Sequence, residues 1–501
     1  MQSDLASTQS YLKPLTFRWL RFNKSTSPVE FRFLMLFGSA LPFLLGAAQA
    51  RVPVQNIDAD TPLVRRDIND TDINSNSTAY TPKVVIINFT AEELDTFEAN
   101  TPIEFSNTIS IPGLSPLYPD IGCNEDYSVC YTVAGENEIN SAISVSALLS
   151  SSDFDFSETY FIVAGTGAID PGFGGLGSVV FSRYTVSVDL QNYINYKEAP
   201  KSWNSSFYPY GTNAPGQFPT EWVGSEVFEV NDNLRKHLAQ LASDKATLNV
   251  SSVSNFTDLL YSNTSLPNNT FFNSSAFNVT LNSTINGTAN ATAIAIANIT
   301  GPDYLTNVTA ATGPVILECD SATSNVVFNG NIAASSISNL TNVLTNGTGS
   351  FCILAKEDSA VLEAAVRYSI YGLTDYSRWV LLRAGSRFDR PPVQYANETL
   401  AFSSSNSTDA TDLAIENLYS VVETIVGDIV MNWDDVYADA TYVSTSGSKN
   451  GTYAPENYIG DILGSLGGTP VFGPGDDYEY PTITVDSIRH ASSSTPSHSW
   501  R

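Results

Sequence analysis

The sequence predicts an α/β fold, a mixed and mostly parallel sheet flanked by helices. Two observations predict it. Strand-length apolar runs recur along the chain, and segments with helical character alternate with them. Alternation of that kind builds a largely parallel sheet covered on both faces.

The elements follow in order. Lys83-Val-Val-Ile-Ile is an apolar run of strand length, followed by the helical Ala91-Glu-Glu-Leu-Asp-Thr-Phe. Cys130-Tyr-Thr-Val is a second strand; it ends in Ala134-Gly-Glu-Asn-Glu-Ile-Asn140 and leads to a small-residue helix over 141–149. Tyr160-Phe-Ile-Val-Ala-Gly-Thr-Gly is a third strand running into a Gly-rich turn. Val179-Val-Phe and Tyr184-Thr-Val-Ser-Val are further strands. Asn231–Leu241 is a helix with Asn231 or Asp232 as its cap. The core resumes at Val315-Ile-Leu-Glu-Cys, and the strand Phe351–Ala355, the helix Asp358–Tyr371 and the strand Trp379–Ala384 form a β-α-β unit. A last amphipathic helix covers about residues 414–432. Ligands of such sheets sit on loops at the carboxyl ends of strands. Here those loops are Asn88–Glu93, Gly135–Asn140, Gly165–Asp170, Lys356–Asp358 and Gly385–Asp389.

The chain is read as one such domain over 82–476, interrupted at 244–310. That interruption holds eleven Asn-X-Ser/Thr sequons amid runs of Ser, Thr, Asn and Ala. A composition that buries so little apolar area per residue predicts a glycosylated, disordered insertion. Residues 35–50 carry a short apolar run ending in Ala48-Gln49-Ala50, which reads as a secretory signal. An uncleaved anchor is its rival, although the run falls short of a membrane span. Met35 as the start would make 1–34 a gene-model extension. Residues 51–81 are polar, and their Arg65-Arg66 pair is either a processing site or incidental. The tail, 477–501, is polar. Further sequons at Asn204, Asn339, Asn346, Asn397 and elsewhere agree with secretion. Asn88-Phe-Thr also matches but ends a buried strand, a poor glycan site.

The formal charge of −28 argues against nucleic-acid and anionic membrane-surface partners. The four cysteines, Cys123, Cys130, Cys319 and Cys352, fit two disulfides in an oxidising compartment. Of three pairings, Cys123–Cys130 and Cys319–Cys352 are favoured because each closes a short loop. With three His in the chain, two of them in the tail, no metal site and no cofactor are expected.

Several blocks together resemble the purine nucleoside permease family: Ile111–Asp120, Gly135–Asn140, Phe228-Glu-Val-Asn231, Cys319–Ser324, Glu357-Asp358, Gly385–Pro392 and Asn457–Asp461. Beneath it lies a fainter likeness to nucleoside phosphorylases and nucleosidases. That likeness implies their fold, a purine nucleoside as ligand, and a set of site residues. Glu92 or Glu93, in the acidic helix start, matches the group that positions the attacking water or phosphate. Gly165, Thr166 and Gly167, with Ala168, match a Gly-Ser-Ala-Gly turn, and Asn140 and Ser386 fall in matching blocks. Glu357 with Asp358 has the place of the carboxylate that holds the ribose hydroxyls, while Glu363 fits the local letters better. The family's acid, which protonates the purine, follows a Ser; here Arg387 follows Ser386, and either Asp389, two residues on, takes the acid's place in one pocket with Glu357, Asp358, Thr166 and Gly167, or that part of the chemistry is lost.

These residue types suit the chemistry. Cleaving a purine N-glycosidic bond passes through an oxocarbenium-like ribose. An acid at the base, a carboxylate on the ribose hydroxyls and a positioned nucleophile all assist it. The ordinary alternative for Glu92, Glu93, Glu357 and Asp358 is a favourable charge at a helix start. Val84–Ser182 holds no Lys, Arg or His, and a phosphate dianion is poorly held without cations. Hydrolysis is therefore expected over phosphorolysis. The rival class is a non-catalytic nucleoside-capture protein serving transport; a homo-oligomer or a membrane transporter partner is left open.

Overall fold

Residue pattern becomes architecture first at Val84–Asn88, strand β1 of the computed structural model, where all five residues are buried. The structure describes residues 79–203, 205–251, 289–290, 313–391, 399–400, 408–439 and 460–466. Expectations for the signal region (1–50), for 51–78, for nearly all of 252–312 and for the tail (477–501) lie outside the described residues.

The strands continue as β2 (Asn107–Ser110), β3 (Asp120–Cys123), β4 (Val129–Val133), β5 (Tyr160–Ile169), β6 (Val179–Ser182) and β7 (Tyr184–Ser187). Next come β8 (Gln191–Tyr193), β9 (Phe207–Pro209), β10 (Val227–Glu229), β11 (Thr247–Leu248) and β12 (Ala289–Asn290). The last are β13 (Ile316–Leu317), β14 (Asp320–Thr323), β15 (Phe351–Ala355), β16 (Trp379–Phe388) and β17 (Gly460–Asp461). The main helices are α1 (Ala91–Asn100), α2 (Asn137–Leu149), α3 (Asp232–Lys245), α4 (Asn331–Leu344), α5 (Asp358–Ile370) and α6 (Thr408–Met431).

One large mixed sheet runs β17-β10-β7-β14-β15-β5-β1-β4-β3-β2, with β16 bridging β5 and β6. The expected mixed α/β class, with a mostly parallel centre and flanking helices, is the one observed. Successive side chains of β1 point to opposite faces. Val84 and Ile86 join Leu234, Leu238, Leu418 and Val422 beneath α3 and α6. Val85 and Ile87 join Val145, Leu148, Leu362 and Val366 beneath α2 and α5. Each such side chain, fully buried, contributes about 1.5–3 kcal/mol. The three layers hold the sheet rigid where its strands end.

The ten-residue β5 places the site. Its first half pairs with β1 in parallel, Val84–Ile87 against Tyr160–Val163. Its far end pairs with β15 antiparallel, Ala168 and Ile169 against Leu354 and Ile353. On its other edge β16 follows it throughout, from Trp379 opposite Phe161 to Phe388 opposite Ile169. The carboxyl ends of β1 and β15 thus approach Gly165–Gly167 from opposite directions. Between them the β5 edge has no ladder partner, and a cleft opens there.

Several expectations are corrected. Gly165-Thr-Gly-Ala168 is the far half of a strand, not a turn, because β16 pairs along it. Gly385–Phe388 is likewise strand, with an irregularity between Gly385 and Arg387. Helix α2 starts at Asn137 rather than Ser141. Helix α3 runs on to Lys245, and Leu248 beyond it is buried, so ordered core extends past the expected insertion boundary at 244. Asn231, not Asp232, is the cap: its side chain accepts from the N–H groups of Asn233 and Leu234. Both disulfides pair as expected, Cys123 with Cys130 and Cys319 with Cys352. Among the described residues no helix is long and apolar enough to cross a membrane.

Candidate active site

The fork is lined from the β1–α1 junction by Phe89, Thr90 and Glu93, from β5 by Thr166 and Gly167, from the β15–α5 turn by Lys356 and Glu357, and from β16 by Arg383, Ser386 and Arg387; it encloses about 170 Å³. Val326 and Val327, about half-exposed, close one side.

Glu93 arrives here through helix capping. Thr90 caps α1, and its hydroxyl accepts the Glu93 N–H. In return Glu93 Oε2 accepts from Phe89 N at 2.9 Å and Thr90 N at 3.2 Å, which completes a capping box. Its other oxygen, Oε1, crosses the fork and accepts from Thr166 N at 2.8 Å, a donor that no neighbouring strand uses. The residue is 2 % exposed. Burial pushes its carboxyl up to about 7, although the Arg383 guanidinium and the N–H groups of Phe89 and Thr166 pull the other way. It is poised to take or give a proton near neutrality. Oε2 already accepts two N–H groups, whereas Oε1, with one, keeps acceptor capacity.

Glu357 ends the β15 turn as the cap residue of α5. It accepts from Asn137 N at 3.1 Å and pairs with Arg383 Nη2 at 3.0 Å. Burial holds its carboxyl above the usual range, opposed by Arg383. Arg383 is 1 % exposed and makes a second ion pair, to Asp358, with Nε and Nη2 at 2.8 and 2.6 Å from Oδ1. Burial lowers the guanidinium's proton affinity, yet the carboxylates of Asp358 and Glu357 outweigh it. Its plane covers the Phe89 ring, 4.5 Å from the centroid. The sequence alone assigns Arg383 no role. An arginine inside the apolar run Trp379–Ala384 was the available signal for a buried carboxylate partner.

The glycines are required by close approach. A Cβ on Gly165 would lie 2.8 Å from Phe89 and closer still to the Arg383 guanidinium. One on Gly167 would lie 2.8 Å from the Leu354 carbonyl oxygen. Gly165 thus seats Arg383 from behind, whereas Gly167 lines the cleft. Ser386 lines it too and donates to Gly167 O at 3.3 Å.

The structure therefore brings together Glu93, Glu357, Thr166, Gly167 and Ser386, with Gly165 and Asp358 directly behind. It does not bring in Glu92, which is exposed on α1, because its neighbour Glu93 turns inward. Asn140 is exposed in the first turn of α2, and its amide donates to Glu136 O at 2.7 Å. Glu363 does not line the cleft and accepts instead from Arg367.

Asp389 is the important correction. It was expected in one pocket with Glu357, but it is absent from the cleft lining. Both its oxygens accept from Arg390, at 2.8 Å each, and Arg390 also reaches Asp170 at 2.5 Å. Burial pushes Asp389 up to about 6, against the pull of Arg390. Two residues along a strand return to the same face, but β16 ends at Phe388, so Asp389, one residue beyond it, is not held to the face that Arg387 presents. Arg387 occupies the cleft instead, donating to Asn329 Oδ1 at 2.7 Å.

Comparison with known proteins follows this geometry. The chain matches the family model described as "Purine nucleoside permease (NUP)" over residues 81–265 and 252–442. It is 34% identical to a purine nucleoside permease of Candida albicans over 418 residues, 83% of this chain and 88% of that protein. It is 29% identical to a probable purine nucleoside permease of Schizosaccharomyces pombe, over 71% of this chain and 90% of the other. Among solved structures it is similar to the 5'-methylthioadenosine/S-adenosylhomocysteine nucleosidase of Neisseria meningitidis, with 11% identity, a TM-score of 0.38 and 69% and 98% of the two chains covered. It is also similar to the futalosine hydrolase of Helicobacter pylori, with 10% identity, a TM-score of 0.34 and 68% and 97% covered. By the family model and the fungal relatives, the chain belongs to the purine nucleoside permease family.

Proposed function

We propose that the protein binds purine nucleosides in the β5 fork and hydrolyses their N-glycosidic bond, and that it does so after passage through the secretory pathway. The observation that carries the reading is Glu93, a buried carboxyl near neutrality that faces the same cleft as Glu357. In this reading Glu357, held by Arg383 and Asn137 N, accepts the ribose hydroxyls. Glu93, held by Thr166 N, draws a proton from a water that attacks C1′. The cleft cations other than Arg387 are already paired, Arg383 with Glu357 and Asp358, and Lys356 with Glu136 at 2.8 Å, which supports water over phosphate as nucleophile. Two disulfides and exposed sequon asparagines at Asn339 and Asn346 support the secretory route.

A second reading is favoured by one observation: Asp389 is engaged by Arg390 outside the cleft. The protein would then capture nucleoside without cleaving it and pass it to a separate membrane carrier, in keeping with the permease name of its relatives.

Inosine incubated with the purified protein separates the two. Hydrolysis releases hypoxanthine and free ribose with or without phosphate, and Glu93→Gln lowers the rate by about 10²–10⁴-fold, the usual contribution of a general base. Tight binding with no release of base leaves only the capture reading. Release that requires phosphate defeats hydrolysis.

A further inference from the structure

Among the described residues, Tyr127, Asn137 and Asn346 hold a left-handed backbone without being glycine. Of these, Asn137 donates its N–H to a cleft residue, Glu357. Its φ is 72°, a region that asparagine tolerates and that β-branched residues avoid, because the Cβ crowds the following carbonyl. The turn that leads to it is fastened in detail. Gly135 is left-handed too, at 87°. The carbonyls of Ala134, Gly135 and Glu136 accept in turn from Ser144 Oγ at 2.8 Å, Ser141 Oγ at 2.9 Å and Asn140 Nδ2 at 2.7 Å. Side chains of α2 thus hold three successive carbonyls, and a strained conformation persists only where its surroundings fix it in this way.

The N–H groups freed by this turn leave their own element. Glu136, the cap residue of α2, makes no side-chain capping bond. Asn137 N–H donates instead to Glu357 Oε1 at 3.1 Å, and Glu138 N–H to Asn325 Oδ1 at 3.1 Å. Asn325 gives its own N–H to Asp189 Oδ2 at 3.1 Å and leads directly into the Val326–Val327 wall of the cleft. Successive N–H groups in such a turn make a concavity that holds an anion. Here the anion is the Glu357 carboxylate.

We infer that Asn137 is a positioning residue: its left-handed backbone aims the first two N–H groups of α2, one to fix the Glu357 carboxylate and the next to fix the Asn325–Val327 wall. The inference rests on the nucleoside-binding reading above, in which Glu357 accepts the ribose hydroxyls. It goes further by assigning the work to the backbone and none to the Asn137 amide, which is exposed. Arg383 Nη2 holds Glu357 Oε2 from the β16 side. With Oε1 held by α2, the carboxylate is fixed at both oxygens and its plane cannot rotate away from the sugar. The positive end of the helix also favours the ionised form, which accepts from hydroxyls without donating.

The test is the affinity of the full chain for inosine and for hypoxanthine in wild type, Asn137→Gly, Asn137→Ala and Asn137→Val. Glycine adopts the left-handed conformation freely, so Asn137→Gly should bind inosine within about two-fold of wild type. Valine has to leave that conformation and takes the N–H away from Glu357. Asn137→Val should therefore bind inosine about ten-fold or more weakly, as loss of a hydrogen bond to a charged group implies. Asn137→Ala should fall between the two, and it decides the matter should the valine variant fail to fold. Hypoxanthine affinity should hardly change in any of them, because Glu357 serves the sugar. Three results overturn the inference while nucleoside binding stands. A glycine variant as weak as the alanine and valine ones would place the effect in the amide side chain. Inosine affinity unchanged in alanine and valine variants would leave the backbone no role. Equal losses for inosine and hypoxanthine would show that the turn supports the fold and not the sugar. If wild type binds no nucleoside, the nucleoside reading falls and this inference with it.

Discussion

At the scale of single residues, Glu357 and Asp358 divide a task that their sequence leaves undivided. They are neighbours opening one helix, yet Glu357 lines the cleft and Asp358 is fully buried against Arg383. Glu357 is bound on two sides, so its carboxylate is oriented before any ligand arrives. Glu357→Gln should keep the fold, because Asp358 still neutralises Arg383, while removing charged hydrogen bonds to the ribose worth about 1.5–3 kcal/mol. Nucleoside affinity should fall by about ten-fold or more, with affinity for free purine base almost unchanged. Titration calorimetry with inosine and hypoxanthine checks this. Equal losses for both would show that Glu357 supports the fold and not the sugar.

At the scale of elements, the site depends on β5 changing neighbours halfway along its length. Glycine at 165 and 167 lets β1, β15 and the Arg383 guanidinium approach that strand together. Gly165→Ala should cost about 1–3 kcal/mol, as overpacking does, because Phe89 and Arg383 would have to move. A denaturant midpoint shows the cost, and weakened inosine binding shows Arg383 displaced from Glu357; an unaltered midpoint would contradict the packing. This fork also shows why part of the fold was legible in the sequence and part was not. Val84–Asn88, Phe351–Ala355 and Trp379–Ala384 are buried on both faces, so their apolar runs announce them. The far half of β5 reads as a turn because glycine is a turn signal, and only pairing with β16 makes it a strand. Helix α4 escaped notice for a different reason. Its buried Ala334, Ile337, Thr341 and Leu344 have helical spacing, but the Ser, Thr and Asn between them resemble the polar insertion. Glu93 and Glu357 were found because a helix start after a strand is a recognisable place. The place of Asp389 is not legible locally, because nothing in Gly385–Pro392 shows that the strand ends at Phe388 or that Arg390 joins Asp389 to the distant Asp170.

At the scale of the whole molecule, burial displaces acids in one direction. It pushes Glu93 and Glu138 up to about 7, Glu229 to about 8 and Asp389 to about 6. Between the ordinary carboxylate range and those values the folded chain holds more protons than the unfolded one. Stability then falls as pH rises through the folded values and is fully present only below the unfolded ones. The formal charge of −28 acts in the same sense, since acidification relieves self-repulsion. Thermal melting should therefore show a higher Tm at pH 5 than at pH 8, by about 1 °C for each kcal/mol gained in a chain of this length. Glu93→Gln should flatten the part of that slope near pH 7. Hydrolysis should respond oppositely, because ionised Glu93 is the base: kcat/KM for inosine should rise about ten-fold per pH unit below 7 and level off above it. The two profiles crossing in one window is the expected result. A Tm that climbs from pH 5 to pH 8 would show that the buried carboxyls are ionised without cost, and a flat kcat/KM over that range would remove Glu93 from the proton transfer.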